Sequence, residues 1–509
     1  IMKRSIVEYL SEHDGYKCGY CKKSDTNYSH GMWANHLTVG DYQDLIDRGW
    51  RRSGKYCYKP TMDVTCCPLY TIRCRANEFK LTKSQKKICN KFCKYLSGSE
   101  LDVQNVKSRK DSTGSGAMSV GIPDMGMGDQ FVESNKVPQN INLNDVKTMI
   151  SEEGENDQGD LGFYFQKLIK IMMKWMLKKN VMMIKKLESP KSFHIVFHLI
   201  AGLGPAPVKG PCKKAKQLRI ERKLEKMKAK GIDISNLEKK NKNIEKQIED
   251  FISELPENKL EIRLVRTHPP SQEWTATFKE THALYVKYQV AIHGDRPEKC
   301  SISKFHDFLV SSPLLEEYSE SGPPCGYGSF HQQYYLDNKI IAVGVIDILP
   351  KCVSSVYFFY DPKYANLTIG TYGALREIAF TRKLSRLSPQ LQYYYMGFYI
   401  HTCIKMRYKG NFHPSDLLCP ETYKWFPISE CIPKIEESPY SRLNPDIDGL
   451  DDNACKASEL NYLRVFYKGV VMLYKDFKRK YKKNVDEELL QYMRLVGAKT
   501  APNMLLVQS

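Results

Sequence analysis

The amino-acid sequence predicts an α+β fold with a cysteine-rich N-terminal unit, and three observations carry that reading. Apolar and aromatic residues over 330–336, 340–349 and 353–359 form short strands split by Asp337-Asn338-Lys339 and Pro350-Lys351, as in an antiparallel meander. A helical pattern over 369–384 and a strand over 391–400 follow, so the sheet takes a crossover after the meander. Far upstream, Cys18 and Cys21 are separated by two residues and Cys66 adjoins Cys67, the raw material of a four-thiol centre.

A chain of 509 residues exceeds one core and predicts two or three domains. Its 77 Lys and Arg against 58 Asp and Glu leave a net charge of +19, which favours a polyanionic partner, nucleic acid before an acidic membrane surface. No apolar run reaches the roughly 18 residues of a membrane span, and the N-terminus lacks the apolar core of a signal peptide. The 16 cysteines therefore read as reduced thiols of a cytosolic or nuclear protein.

Residues 1–97 read as one Cys-rich domain. Over 98–160, Ser, Gly, Asn, Asp and Met leave too few apolar side chains to offset ordering entropy, which predicts a flexible insertion. Residues 161–259 read as helical, with nine basic against two acidic side chains over 213–230 and a turn at Gly231-Ile232-Asp233. This Lys-rich hairpin is either a solvated surface or a stripe of phosphate contacts. Alternation from Leu260 to Val265 predicts a half-buried strand opening the 260–509 domain, whose end reads as helical over 459–478 and 486–495.

Two thiols spaced by two residues form a knuckle for zinc or an iron–sulfur cluster, and Cys66 and Cys67 complete the shell, with Cys57 and Cys74 in reserve. Unmetallated core thiols are the plainer alternative. Arg48, Arg51, Arg52, Arg73 and Arg75 flank the cysteines, and guanidinium forks match carboxylate or phosphate oxygens. They form an acidic-side-chain pocket, a phosphate clamp or a salt-bridge network. The later sheet offers His331, Gln332, Gln333, Asp347, Tyr357 and Asp361 near strand ends, with no Ser-His-Asp order, Walker loop or zinc-protease helix. Gly370, at a helix start, lets a backbone approach a ligand's phosphate.

These residues resemble one family, the eukaryotic arginyl-tRNA–protein transferases. The likeness runs through Cys18-Gly19-Tyr20-Cys21, the segment from Asp41 through Pro60, and Thr65-Cys66-Cys67-Pro68 through Arg75. It resumes at His331-Gln332-Gln333-Tyr334, 342–350, Tyr360-Asp361-Pro362, 374–380, 393–400 and 417–423. The resemblance implies transfer of arginine from arginyl-tRNA to the α-amine of proteins beginning with Asp, Glu or oxidised Cys, a product that a ubiquitin ligase then reads as a degradation signal. It implies a C-terminal domain of the GNAT acetyltransferase type and no nucleotide cofactor. A non-catalytic, metal-stapled RNA-binding protein is the rival reading, and an acetyl-CoA enzyme is a third, although no glycine-rich pyrophosphate loop is present.

Under the resemblance, Arg48, Arg51, Arg52, Arg73 and Arg75 read the acceptor's charge, with Tyr56 and Thr71 as neutral contacts. His331 and Asp361 become candidate proton acceptors, Gln332 and Tyr357 positioners, and Asp347 the partner of the donor's guanidinium. Lys213, Lys214, Lys216, Arg219 and Gly370 would meet tRNA, and Cys18, Cys21, Cys66 and Cys67 the metal.

Overall fold

The computed structural model describes residues 4–11, 15–97 and 260–508. The expectations for the insertion, the Lys-rich hairpin and Lys213, Lys214, Lys216 and Arg219 lie outside those residues. The N-terminal segment contributes β1 (Ile6–Leu10), β2 (Ser29–His36), α1 (Val39–Ile46), β3 (Arg51–Ser53), β4 (Tyr56–Pro60), β5 (Tyr70–Arg75) and α2 (Lys83–Leu96). After residue 259 come β6 (Leu260–His268), α3 (Gln272–Tyr288), β7 (Gly328–Leu336), β8 (Lys339–Ile348), β9 (Cys352–Tyr360), α4 (Ile369–Leu387) and β10 (Tyr393–Tyr399). The chain ends with β11 (Ser415–Leu418), β12 (Trp425–Pro427), α5 (Ile428–Glu437), β13 (Arg464–Tyr467), β14 (Val470–Leu473), α6 (Tyr474–Tyr481), α7 (Asp486–Val496) and β15 (Leu505–Val507).

The meander forms as its turns dictate. Asp337 and Asn338 both take positive φ, the left-handed pair that suits a two-residue hairpin between β7 and β8. The C-terminal reading needs correction. Residues 459–478 are not one helix, because Lys468-Gly469 takes positive φ at both positions and turns β13 back onto β14. The β-branched and aromatic residues Val465, Phe466, Val470 and Val471 favour strands there, and helix resumes only at Tyr474.

Pairing across the chain departs further from the sequence reading. A 7-stranded sheet runs β14-β13-β15-β1-β2-β4-β3, and an 8-stranded sheet runs β12-β11-β5-β10-β9-β8-β7-β6. The N-terminal β5 thus lies inside the larger sheet and the C-terminal β13 to β15 complete the smaller one. Residue 97 separates neither sheet from the other. Both share one apolar core in which Val7, Met32, Trp50, Ile72, Cys352, Tyr395 and Leu506 are buried. Each large side chain buried there contributes about 1.5–3 kcal/mol.

The parallel pair β9 and β10, joined by α4, sets up the site. Their register holds only from Tyr393↔Cys352 to Tyr395↔Ser354. Beyond it β10 bulges between Tyr395 and Phe398, with Gly397 at φ +68, and follows β5 instead. The two strands splay apart, and α4 lies across one face of the opening while α3 covers the other face of the sheet. Among the described residues no helix is long and apolar enough to cross a membrane.

Candidate active site and thiol centre

The splay opens a cleft enclosing about 940 Å³, part of it open to solvent. Its walls carry Arg51 from β3, Tyr58 from β4, Tyr394 and Phe398 from β10, Glu377 from α4 and Lys409. Gly370 lies on the rim in the first turn of α4, a helix whose N-terminus has no side-chain cap. Its leading N–H groups are therefore free of a capping oxygen.

The five predicted arginines part company here. Arg48 makes a fork with Asp451 at 3.1 and 2.8 Å, and Arg52 does the same with fully buried Asp347 at 2.8 and 2.6 Å. Arg73 and Arg75 share Asp416 at 3.3 and 3.0 Å, and Arg73 also stacks on Tyr393 and Trp425. Arg51 alone of the five has no carboxylate partner among the described residues. Its Nη1 donates to the carbonyls of Trp50 at 2.6 Å and Ile46 at 3.3 Å, its Nη2 reaches Gly397 O at 3.4 Å, and its Nε has no partner. A buried, uncompensated guanidinium facing a cleft is suited to an incoming anion.

The cysteines converge as their spacing predicts. The Sγ atoms of Cys18, Cys21, Cys66 and Cys67 all lie within 4.8 Å of one another. A tetrahedral ion with metal–sulfur bonds of about 2.3 Å spaces its sulfurs by roughly 3.8 Å, so the set fits a thiolate-held metal. Against burial, which raises it, the Lys23 backbone and the other three thiols hold the Cys21 thiol down at about 7. Four thiols close the shell and leave no position for substrate, so such a centre supplies rigidity. Cys57 and Cys74, the reserve ligands, are buried elsewhere. Tyr20, inside the Cys18–Cys21 knuckle, reaches the cleft wall.

Comparison with known proteins decides the family. Models described as arginine-tRNA-protein transferase, N terminus, and arginine-tRNA-protein transferase, C terminus, match residues 16–87 and 280–419. The arginyl-tRNA–protein transferase 1 of Drosophila melanogaster is 40% identical over 100% of both chains. The chain belongs to the arginyl-tRNA–protein transferase family. Arabidopsis thaliana arginyl-tRNA–protein transferase 2 is 34% identical, with 84% of this chain and 76% of that protein aligned. A Campylobacter jejuni protein named aspartate/glutamate leucyltransferase is 33% identical over 23% of this chain and 49% of its own. As a member of the arginyl-tRNA–protein transferase family, the chain is a transferase that moves arginine from tRNA to proteins, which sets aside the non-catalytic and acetyl-CoA readings.

Other residues expected to serve the transferase fall away from the cleft. Asp347 does not face a donor pocket: Arg52 and Ser329 take its oxygens. His331 is fully buried on the α3 side, bonded to Leu309 O at 3.0 Å and set edge-on to Trp274, and burial pushes its imidazole down to about 4. Tyr357 alternates with cleft-lining Val356 and Phe358, so it points the other way, toward Gln289 and His293. Asp361 caps the turn after β9 at Lys363 N and pairs with Lys287 at 2.6 Å. Gln332 keeps a place nearer the site: it stands opposite Gly344 in register, on the α4 side of the sheet. Tyr56 packs against Trp33, and Thr71 lines a second cleft of about 720 Å³, part of it open to solvent, beside Lys59 and Tyr423.

Sequence reasoning missed Glu377, Tyr394 and Lys409. Burial lifts the Glu377 carboxyl to about 7 against the pull of the Tyr394 and Ser355 hydroxyls. Burial, then the charge of Arg51, lowers the Lys409 ammonium to about 7. A signal for Glu377 was present, since it falls at helical spacing between Gly373 and Thr381, on the buried face of α4.

Proposed function

We propose that the cleft transfers arginine from arginyl-tRNA to the N-terminal α-amine of proteins beginning with Asp, Glu or oxidised Cys. The observation that carries this reading is Arg51, the one predicted acceptor arginine left without a carboxylate and facing the cleft. An acceptor's acidic side chain would supply the missing charge. A charge-assisted hydrogen bond in such a site contributes about 1.5–3 kcal/mol. The leucyltransferase relative, whose name carries aspartate and glutamate, supports the same acceptor class.

On this reading the ester end of the donor enters between β9 and β10, where an acyltransferase of the GNAT type holds its acyl group. Its terminal phosphate would meet the uncapped start of α4 at Gly370. The net charge of +19 suits a tRNA, with Lys213, Lys214, Lys216 and Arg219 proposed among its contacts. The thiol centre fixes the Tyr20 wall, and its close sulfur spacing favours a single zinc-like ion over a cluster. The product would feed ubiquitin-dependent degradation in the cytoplasm and nucleus.

Transfer of labelled arginine from charged tRNA to peptides beginning with Asp, Glu, Asn or Lys tests the reading. Label on Asp and Glu alone is expected, and Arg51→Met should lower it about 10- to 100-fold with tRNA affinity kept. Equal labelling of all four peptides would overturn the acidic pocket. Parallel loss of tRNA affinity would make Arg51 a phosphate contact.

A further inference from the structure

A buried carboxylate without a cation is expensive, and proteins keep one where it has work to do. Glu377 is such a group: it is 1% exposed, and no Lys or Arg pairs with it among the described residues. Its Oε2 accepts a hydrogen bond from Tyr394 at 2.6 Å, while its Oε1 has no partner. β8 makes room for that oxygen, since a Cβ on Gly344 would stand 2.6 Å from it.

We propose that Glu377 is the proton acceptor for the attacking α-amine, with Tyr394 positioning its carboxylate. The inference rests on the cleft being the transfer site. The acceptor arrives as an ammonium group, which titrates near 8 and cannot attack a carbonyl until it loses a proton. The Glu377 carboxylate takes that proton, and the freed lone pair forms the C–N bond at the ester carbonyl. The ester C–O bond then breaks, with its electron pair on the ribose oxygen. The second proton leaving the new nitrogen goes to that oxygen, and the proton on Glu377 returns to water. One amide and one ribose hydroxyl result, with no oxidant, reductant or nucleotide needed.

The surroundings suit a base working at neutral pH. Ser355 from β9, Tyr394 from β10, Tyr334 from β7 and Tyr408 face Glu377 or act on its charge, and Arg376 is its helix neighbour. Arg51 and Lys409 stand elsewhere on the cleft wall. Burial outweighs the hydroxyls and keeps the carboxyl near 7, where it is half ionised at working pH and close to the amine it must deprotonate.

Single-turnover transfer to an Asp-initial peptide under saturating charged tRNA, followed across pH, decides the matter. The wild-type rate should rise through an inflection near 7 and then level. Glu377→Gln, which keeps an acceptor for Tyr394, should lose about 10²- to 10³-fold in rate with peptide KM and tRNA affinity nearly unchanged. Its residual rate should climb through an inflection near 8, that of the amine itself. Tyr394→Phe, which leaves the carboxyl more poorly supported, should move the wild-type inflection upward. Glu377→Asp should recover part of the rate. A folded Glu377→Gln protein with the wild-type rate and pH profile overturns the inference. So does an unmoved inflection in Tyr394→Phe, a readout that stands even if the Glu377 variants fail to fold. Failure of the wild-type enzyme to label the peptide would instead remove the underlying reading of the cleft.

Discussion

Arg52 on β3 and Asp347 on β8 form a two-pronged ion pair, with Nε to Oδ2 at 2.8 Å and Nη2 to Oδ1 at 2.6 Å. Their side chains are 2% and 0% exposed, and the pair pins the smaller sheet to the larger. Removing one member strands the other charge in the core. Arg52→Ala should cost about 3–5 kcal/mol in urea unfolding, and replacing both by Met and Leu should cost much less. Arg52 lines the cleft, but Asp347 already occupies its fork, so transfer by the single variant should fall equally on every acceptor. A selective loss on Asp-initial peptides would show that Arg52 reads substrate.

The remaining arginines should sort by partner. Arg73→Met frees Asp416, which Arg75 still holds at 3.0 Å, so the expected outcome is a modest loss of stability and no change in acceptor preference. Peptide selectivity, rather than rate, is the measurement that separates it from Arg51→Met.

Lys409 gives the protein a stability slope in mildly alkaline solution. Its folded value is about 7 against an ordinary 10.5, because burial and Arg51 disfavour the charged form. Between those values the unfolded chain holds a proton that the folded chain has lost, so stability rises with pH. Glu377 acts with the opposite sign below that window: from 4.5 to about 7 the folded chain holds the extra proton, and stability falls as pH rises. Chemical unfolding across pH should show Lys409→Met flattening the alkaline rise alone, and an unchanged rise would refute the assignment.

Removing a metal held by the four thiols should be felt in the cleft as well as at the thiols. Tyr20 sits between Cys18 and Cys21 and lines the cleft, so chelation or Cys66→Ser should lower the melting temperature and raise peptide KM while tRNA affinity holds. Scanning calorimetry with acceptor titrations checks both halves. A melting loss with unchanged peptide KM would leave the centre as a remote staple.

Local signals were legible and distant pairings were not. Asp337-Asn338 marked its hairpin because two left-handed residues leave little else to form, and the paired cysteines marked where four thiols converge because a two-residue knuckle turns both its side chains to one side. The partners of the arginines lay out of reach: Asp347 is 295 residues from Arg52, and Asp451 is 403 from Arg48. Periodicity cannot say which charges will meet. Asp347 was therefore read as open to a ligand when its own chain neutralises it. Lys468-Gly469 was a turn signal overlooked among helix formers, and Glu377 went unread although its helical face was apolar.

The interleaved sheets bear on how the chain is born. Ile6 lies beside Leu505 and Thr71 beside Phe398, so strands made first wait for strands made late. A nascent chain on the ribosome holds β5 open until β10 and β11 are made and one edge of β1 open until β15 is made, and open edges invite wrong partners. Translation stalled before β12 yields neither sheet intact, and a stall between β12 and β15 leaves β1 of the smaller sheet open along one edge.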